Sequence, residues 1–518
     1  MIDSAEVLEA ARQNRDPRFD GRFFVGVLTT GIYCRPICPV RIPRRENVKI
    51  FSSAAAAAGA GFRPCLRCRP EAAPGTPAWL GSSFTVSRAL QMMALDGGSG
   101  PGMDTVAAEL NISTRQLCRL FRKHLGTTPS LILQTRRLHF SKQLLDETSL
   151  PISEVCFAAG FGSVRRFNDV IKKTYGRTPR QLRQRVEPIA DQAGSIGFNL
   201  EYRPPFDWSA MLEFFAKRGI PGVEWVGPDC YRRTFRLHGT PGSYSLKFTR
   251  NGPGAQLYVQ FPDTTRLLEI VARIRQQFDL DADSASIESL LATDPLLSGP
   301  VTARPGLRVP GCWDGLEIAV RAIVGQQVSV KSAATLMRRL VERTGSTLPG
   351  AKRGDGNSLY LVFPEPGALA DADLSGLGIT GQRITAIKSL AGKVAAGSLS
   401  LDSWQDPADF RRQICQIRGI GEWTAQYVAL RALRDPDAFP AGDLILRRSV
   451  AHQAGILSPR ALLTLSQRWR PWRAYAVMQL WRQYQWQQQQ DNLKPSPRSR
   501  QPGQSSEQRH QSNRAWHG

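Results

Sequence analysis

Long hydrophobic runs are missing from this chain of 518 residues: nowhere do about 18 apolar residues follow one another, the length a membrane-crossing helix needs. A basic-then-apolar leader is missing too, since Met1-Ile2-Asp3 is followed closely by further acids. These absences predict a cytoplasmic protein with no membrane partner. A disulfide framework is not expected in that reducing setting, so the nine cysteines read as metal ligands, nucleophiles or core residues. Acids are scarce as well, 44 against 68 Lys and Arg, which leaves a formal charge of +24. A surface potential of that sign attracts polyanions in a salt-dependent way, so double-stranded DNA or another nucleic acid leads the partner classes. The excess is spread along the chain, with 28 Lys and Arg against 15 acids up to residue 190 and 40 against 29 beyond it. Two separate nucleic-acid surfaces are therefore expected.

With 42% apolar residues the chain can bury several cores, and its length suits three or four domains. Pro, Gly and small residues mark breaks at 71–77, 185–197 and 301–311. Short strands and turns are predicted in 15–70 and helices in 80–186. Alternation in Tyr231–Leu237, Tyr244–Phe248 and Leu257–Phe261 predicts an antiparallel sheet, and apolar spacings of three and four from Trp313 to Gln485 predict a helical domain. The expected fold class is thus multidomain, mainly α with α+β parts. The predicted domains are 1–75, 80–186, 197–305 and 306–486, with a polar, disordered tail at 487–518.

Cys34-Arg-Pro-Ile-Cys38 and Cys65-Leu-Arg-Cys68 form two close pairs separated by 26 residues, a pattern that lets four thiolates meet around one tetrahedral Zn2+. Arg35, Arg41, Arg44, Arg45, Arg63, Arg67 and Arg69 give the cluster a cationic setting suited to a phosphate backbone. Spacing alone goes no further than a structural zinc clip. The wording of 18–70, RFDGRFFVGVLTTGIYCRPICPVRIPRRENVKIF and then AGFRPCLRCRP, resembles the N-terminal domain of the Ada family. That resemblance implies that Cys34 is both a zinc ligand and the acceptor of a methyl group from a DNA methylphosphotriester. Methylation would turn a thiolate into a neutral thioether and lessen repulsion from the backbone, tightening DNA binding. The five other cysteines, Cys118, Cys156, Cys230, Cys312 and Cys415, stand alone in apolar-periodic segments and are predicted to be core residues.

Residues 104–126 read as a short helix, a polar turn and a second helix opened by Ser113, with Gln116 completing a capping-box pattern. A second copy follows at 151–179, about 50 residues on. Each second helix carries Arg or Lys opposite its Leu/Phe stripe, as a helix entering a major groove requires, although a helical bundle with a solvated basic face would share that distribution. Gly160-Phe-Gly-Ser163 and Gly176-Arg-Thr-Pro179 resemble the DNA-binding domain of AraC-type regulators. The resemblance makes Arg115, Arg119, Arg165 and Arg166 the expected DNA contacts and RNA polymerase an expected partner.

Arg418-Gly419-Ile420-Gly421 lies between helical segments, where two glycines allow a tight turn that exposes backbone N–H groups to a phosphate. Taken alone, it could equally be a structural turn. Twenty-two residues beyond Gly421, Asp443 opens an apolar helix, a position that fits an N-cap as well as a functional acid. Residues 198–486 resemble the AlkA family of 3-methyladenine DNA glycosylases through Tyr202–Trp208, Gly311–Asp314, Arg321–Ser329, this hairpin and Trp469–Tyr475. The resemblance implies that Asp443 is the catalytic carboxylate, that Trp423, Tyr427 and Trp481 wall a base pocket, and that Gln327, Gly419 and Gly421 face DNA. The family's wedge residue is a leucine, and Gln327 stands in its place. Hairpin glycosylases that also cut the backbone have a lysine two residues after the second glycine; Trp423 occupies that position, so base release without strand cleavage is expected. No Pro-Cys-His-Arg motif is present, so no O6-methylguanine methyltransferase activity is expected. A regulator that keeps the glycosylase fold for binding alone is the competing class.

Overall fold

The computed structural model describes residues 4–74, 84–95, 102–183, 194–249, 252, 254–354, 357–451 and 455–493. In the N-terminal part, β1 (Phe24–Val27) pairs antiparallel with β2 (Ile32–Cys34) and β3 (Val48–Phe51), and β4 (Arg63–Pro64) runs parallel to β2. Because Tyr33 faces Pro64 in that parallel register, the chain leaves both strands in one direction and sets Cys34 beside Cys65. Two helices, Ala5–Gln13 and Ala54–Gly59, accompany the predicted strands and turns.

The two helix-turn-helix units repeat in detail. Their second helices are Thr114–Leu125 and Val164–Tyr175, capped by Ser113 and Ser163 and stopped by Gly126 and Gly176, each at φ +69°. Each buries residues four apart: Leu117, Phe121 and Leu125 in one, Phe167, Ile171 and Tyr175 in the other. Ser113 accepts the Gln116 N–H, but the reciprocal capping box closes instead at Thr178 and Gln181. The first unit has its own small core around Leu117 and Phe121. The second shares one core with the following sheet, where Phe140 meets Phe198 edge-on at 6.2 Å, so the buried apolar residues from Leu138 to Leu182 pack with the sheet domain, while Ile132 and Leu133 pack on the first unit.

That sheet is fully antiparallel in the order β5 (Ile196–Glu201), β9 (Gly254–Gln260), β8 (Thr240–Phe248), β7 (Cys230–Leu237), β6 (Glu224–Val226). In β9, Ala255, Leu257 and Val259 are buried and alternate with half-buried Gln256, Tyr258 and Gln260, the period of two expected of a one-faced strand. The helical domain that follows carries the largest core and includes a short ribbon of β10 (Ser346–Thr347) and β11 (Leu361–Val362). Fully buried Trp469 donates its indole N–H to Asp294 at 2.7 Å.

Two expectations change here. Of the five lone cysteines only Cys156 is buried; Cys118, Cys230, Cys312 and Cys415 are half-buried, the last two packed against the edge of the helical-domain core. The last helix, Arg473–Leu493, carries 487–493 in continuous α-helix, because the glutamine run extends the preceding turns as a fair helix former. The remainder of the predicted tail, 494–518, lies outside the described residues. Among the described residues no helix is long and apolar enough to cross a membrane.

Candidate active site, metal centre and nucleic-acid interfaces

The four cysteine sulfurs lie within 4.8 Å of one another, and every one of these residues is buried. Tetrahedral thiolates about 2.3 Å from a zinc ion would sit roughly 3.8 Å apart, so the donor set fits one Zn2+ without rearranging the strands. Without an ion the cluster splits: Cys38 first, then Cys65, push the Cys34 thiol up and Cys34 pushes up Cys68, while hydrogen bonds from Cys34 hold Cys38 and Cys65 below their ordinary value. A dication at their centre is the charge that allows all four to be thiolates. A cleft of about 540 Å³ borders the cluster, lined by Cys34, Cys38, Arg41, Arg63 and Arg67 and, from the end of the second recognition helix, by Thr174 and Arg177.

The arginines around this cluster divide into two groups. Arg41, Arg44, Arg45, Arg63 and Arg67 are exposed and can meet a phosphate backbone. Arg35 cannot, since it is buried and ion-paired with Asp20 and Glu201. Arg69 is half-buried against Glu147 at 2.7 Å. Sequence proximity to the cysteines placed both on a DNA face, but Glu201 and Glu147, which help to hold them, lie on distant segments.

Arg115 and Arg119 on the first recognition helix and Arg165 and Arg166 on the second are all exposed, opposite the buried stripe. In the hairpin, helix Pro407–Ile414 turns through Gly419 at φ +94° into helix Glu422–Arg431. Only glycine suits Gly419, where a Cβ would also approach Ala386 to 3.3 Å. Gly421 is the N-cap of the second helix and offers no side-chain acceptor, which leaves the first-turn N–H groups available to an anion.

Asp443 caps helix Leu444–Ser449, its Oδ1 accepting the Leu446 N–H at 2.9 Å. Capping uses only part of the carboxylate. Trp423 donates its indole N–H to Oδ2 at 2.9 Å, and Trp481 donates to Oδ1 at 3.1 Å. Tyr427 stacks on Trp423 with centroids 5.6 Å apart and planes at 16°, and lies 6.2 Å from Trp481. The sequence-predicted carboxylate and aromatics thus form one group. The adjoining cleft between Trp481, Phe214 and Met478 holds about 30 Å³, room for a water rather than a nucleobase.

Sequence reasoning missed the cations behind Tyr427. Arg431, one helical turn on, donates to its hydroxyl oxygen at 2.8 Å. Burial pushes the phenol up, but the Arg431, Arg218 and Arg321 guanidinium groups outweigh it and hold the pKa below its ordinary value. Glu317 partly balances these charges, pairing with Arg233 and Arg321 at 2.8 Å each. The i, i+4 spacing of Tyr427 and Arg431 was the available signal. Gln327, which stands at the family's wedge position and was expected to face DNA, is exposed and left-handed at φ +54°.

Four family models match successive parts of the chain: the metal binding domain of Ada over 8–71, a helix-turn-helix domain over 106–185, the AlkA N-terminal domain over 197–314, and the HhH-GPD superfamily base excision DNA repair protein over 320–474. A "Probable bifunctional transcriptional activator/DNA repair enzyme AlkA" of Mycobacterium tuberculosis is 40% identical over 93% of this chain and 97% of its own. DNA-3-methyladenine glycosylase 2 of Escherichia coli is 32% identical, covering 56% of this chain and 98% of its own. Among solved structures, a 3-methyladenine DNA glycosylase from Archaeoglobus fulgidus superposes with a TM-score of 0.50 at 20% identity, over 56% of this chain and 98% of that one, a likeness of fold.

Proposed function

The chain belongs to the family of bifunctional transcriptional activator/DNA repair enzymes that join an Ada-type regulator to an AlkA-type DNA glycosylase, and from that premise we propose how each half works. The C-terminal half hydrolyses the N-glycosidic bond of alkylated bases such as 3-methyladenine, with Asp443 as the catalytic carboxylate. The observation that carries this reading is the convergence of the Trp423 and Trp481 indole N–H groups on the two oxygens of Asp443, beside the stacked Tyr427.

The chemistry follows from charge. An alkylated purine is already cationic, so its bond to C1′ breaks without prior protonation once the nucleotide is everted. Positive charge then develops on the sugar, and the Asp443 carboxylate stabilises it. Water adds to C1′ as the base departs with the bonding pair, and Asp443 takes the proton that water releases. The two indole donors fix the carboxylate in place, while the aromatic faces favour a cationic base by about 0.5–2 kcal/mol per contact. Trp423 supplies no amine nucleophile, so the product is an abasic site in an uncut strand.

In the N-terminal half, Cys34 is the methyl acceptor. Its sulfur forms a bond to the methyl carbon as the carbon–oxygen bond of the phosphotriester breaks, leaving an ordinary diester. Zinc, when bound, keeps that sulfur a thiolate at neutral pH. Arg41, Arg63 and Arg67 hold the strand against the cleft, and the two recognition helices read promoter DNA, from which the methylated form recruits RNA polymerase.

Base release from alkylated duplex by wild type and by Asp443→Asn tests the enzyme. Release that falls by about a hundredfold or more in the variant is expected from loss of the opposing charge; none from wild type would leave a DNA-binding regulator with a silent fold. Transfer of labelled methyl groups to wild type but not to Cys34→Ala is the expected result for the sensor, and continued uptake by the variant would remove Cys34 from that role.

A further inference from the structure

The turn that presents Gln327 is held from three sides. Its predecessor Gln326 is half-buried, and the Gln326 side-chain amide donates to the carbonyl of Gly419 at 3.0 Å and to the hydroxyl of Thr424 at 3.1 Å. Both acceptors belong to the hairpin, more than 90 residues away in sequence. Arg383, on helix Gly381–Ala395, donates to the Gln326 carbonyl, and on the far side Ser329 caps helix Val330–Thr344 through the Ser332 N–H at 3.1 Å. Gln327 between them takes a left-handed backbone conformation, φ +54°, that a residue with a Cβ adopts only when its surroundings impose it. Gln327, Val328 and Val330 are exposed at this turn.

Such an arrangement would be superfluous in an ordinary surface loop. The acceptors are informative: Gly419 is the turn glycine of the hairpin, and Thr424 follows Trp423, which holds Asp443. One side-chain amide therefore fixes the distance between the protruding turn, the phosphate-facing hairpin and the helix that orients the catalytic carboxylate. A wedge transmits force to a base pair only if its root cannot recoil. The cost of unstacking and unpairing must be met before any chemistry begins, and it is smallest where the partner base is missing.

We infer that Gln326 is a positioning residue for base eversion, locking the Gln327 turn to the hairpin so that the turn can occupy the gap opened in the duplex. The inference rests on the glycosylase reading and deepens it. Gln326 does not touch the reacting atoms; it acts through Gln327 on one side and through Gly419 and Thr424 on the other. Its contribution is confined to substrates whose lesion is stacked and paired.

The test is single-turnover release of N7-methylguanine from two duplexes, one with the lesion paired to cytosine and one with it opposite an abasic position. Gln326→Ala is expected to slow release from the paired duplex by about tenfold or more and to leave release opposite the abasic position within about twofold of wild type. Arg383→Met, which removes the second anchor without emptying the hairpin contact, is expected to show the same selectivity with a smaller loss, and it decides the matter if Gln326→Ala does not fold. Equal slowing on both duplexes would mark a general structural role and overturn the inference, as would unchanged release from the paired one. No release by wild type from either duplex is a different result and would sink the glycosylase reading itself.

Discussion

Arg35, the residue after the proposed methyl acceptor, is enclosed between Asp20 of its own domain and Glu201 at the end of β5 in the sheet domain. Its backbone N–H reaches the Cys68 sulfur at 3.3 Å and its guanidinium reaches the Cys68 carbonyl at 3.2 Å. The metal centre and the glycosylase half thus share a buried cation.

That sharing predicts that zinc removal is felt beyond the zinc domain. Ten of the eleven tryptophans lie at or beyond Trp208, so tryptophan fluorescence reports on the C-terminal half. A chelator is expected to lower the Tm read this way by several degrees. Glu201→Gln, which leaves Arg35 with one carboxylate, is expected to cost about 1–3 kcal/mol, less than loss of a fully buried pair because Glu201 is partly exposed. An unmoved tryptophan transition in both experiments would disprove the coupling.

Trp481→Phe keeps most of the aromatic wall and deletes one donor to Asp443. A hydrogen bond to a charged group is worth about 1.5–3 kcal/mol, so single-turnover base release is expected to fall about tenfold or more. Binding to an abasic-site duplex should change little. An unaltered rate would mean that the indole N–H groups do not orient the carboxylate.

Exposed arginines on the recognition helices should reveal themselves through salt. Arg115→Ala with Arg119→Ala, or Arg165→Ala with Arg166→Ala, is expected to reduce the slope of log affinity against log salt by about 2 for promoter duplex if both residues meet phosphates. Base release from an unrelated alkylated duplex is expected to stay at the wild-type rate. A slope that does not change would move the contacts elsewhere.

Glu288 supplies a pH signature away from any metal ligand. Burial pushes its carboxyl up to about 7, only partly offset by the Gly306 N–H. A folded pKa above the unfolded one favours folding while the proton is bound, in full below about 4.5, and the benefit disappears as pH rises through about 7. Glu288→Gln is therefore expected to have a higher Tm than wild type near pH 9 and a similar one near pH 4.5. Parallel Tm curves for the two proteins would refute the assignment.

What could be read from the sequence depended on how far apart the partners are. Cys34 and Cys38, or Gly419 and Gly421, announce themselves because a few bonds separate the members of each pair. The sheet strands were readable because β9 alternates residue by residue. Arg35 was misplaced because its partner Glu201 is 166 positions away, and nothing in a cationic run says which member will be buried. The Gln326 amide was silent for the same reason. Trp481 could be assigned only through family resemblance, since it lies 38 positions from Asp443 with no local pattern linking the two. The ribbon of two-residue strands is too short to have a period at all.

Arg203, wholly buried, donates to the carbonyls of Asp20 and Pro74 on one side and of Asp281 on the other. A gene split between regulator and repair enzyme would strand this guanidinium on one product and two orphan carbonyls on the other. Cutting the chain between the two halves is therefore expected to leave each less stable than it is in the joined protein, because the Arg203 contacts would have to be replaced by water.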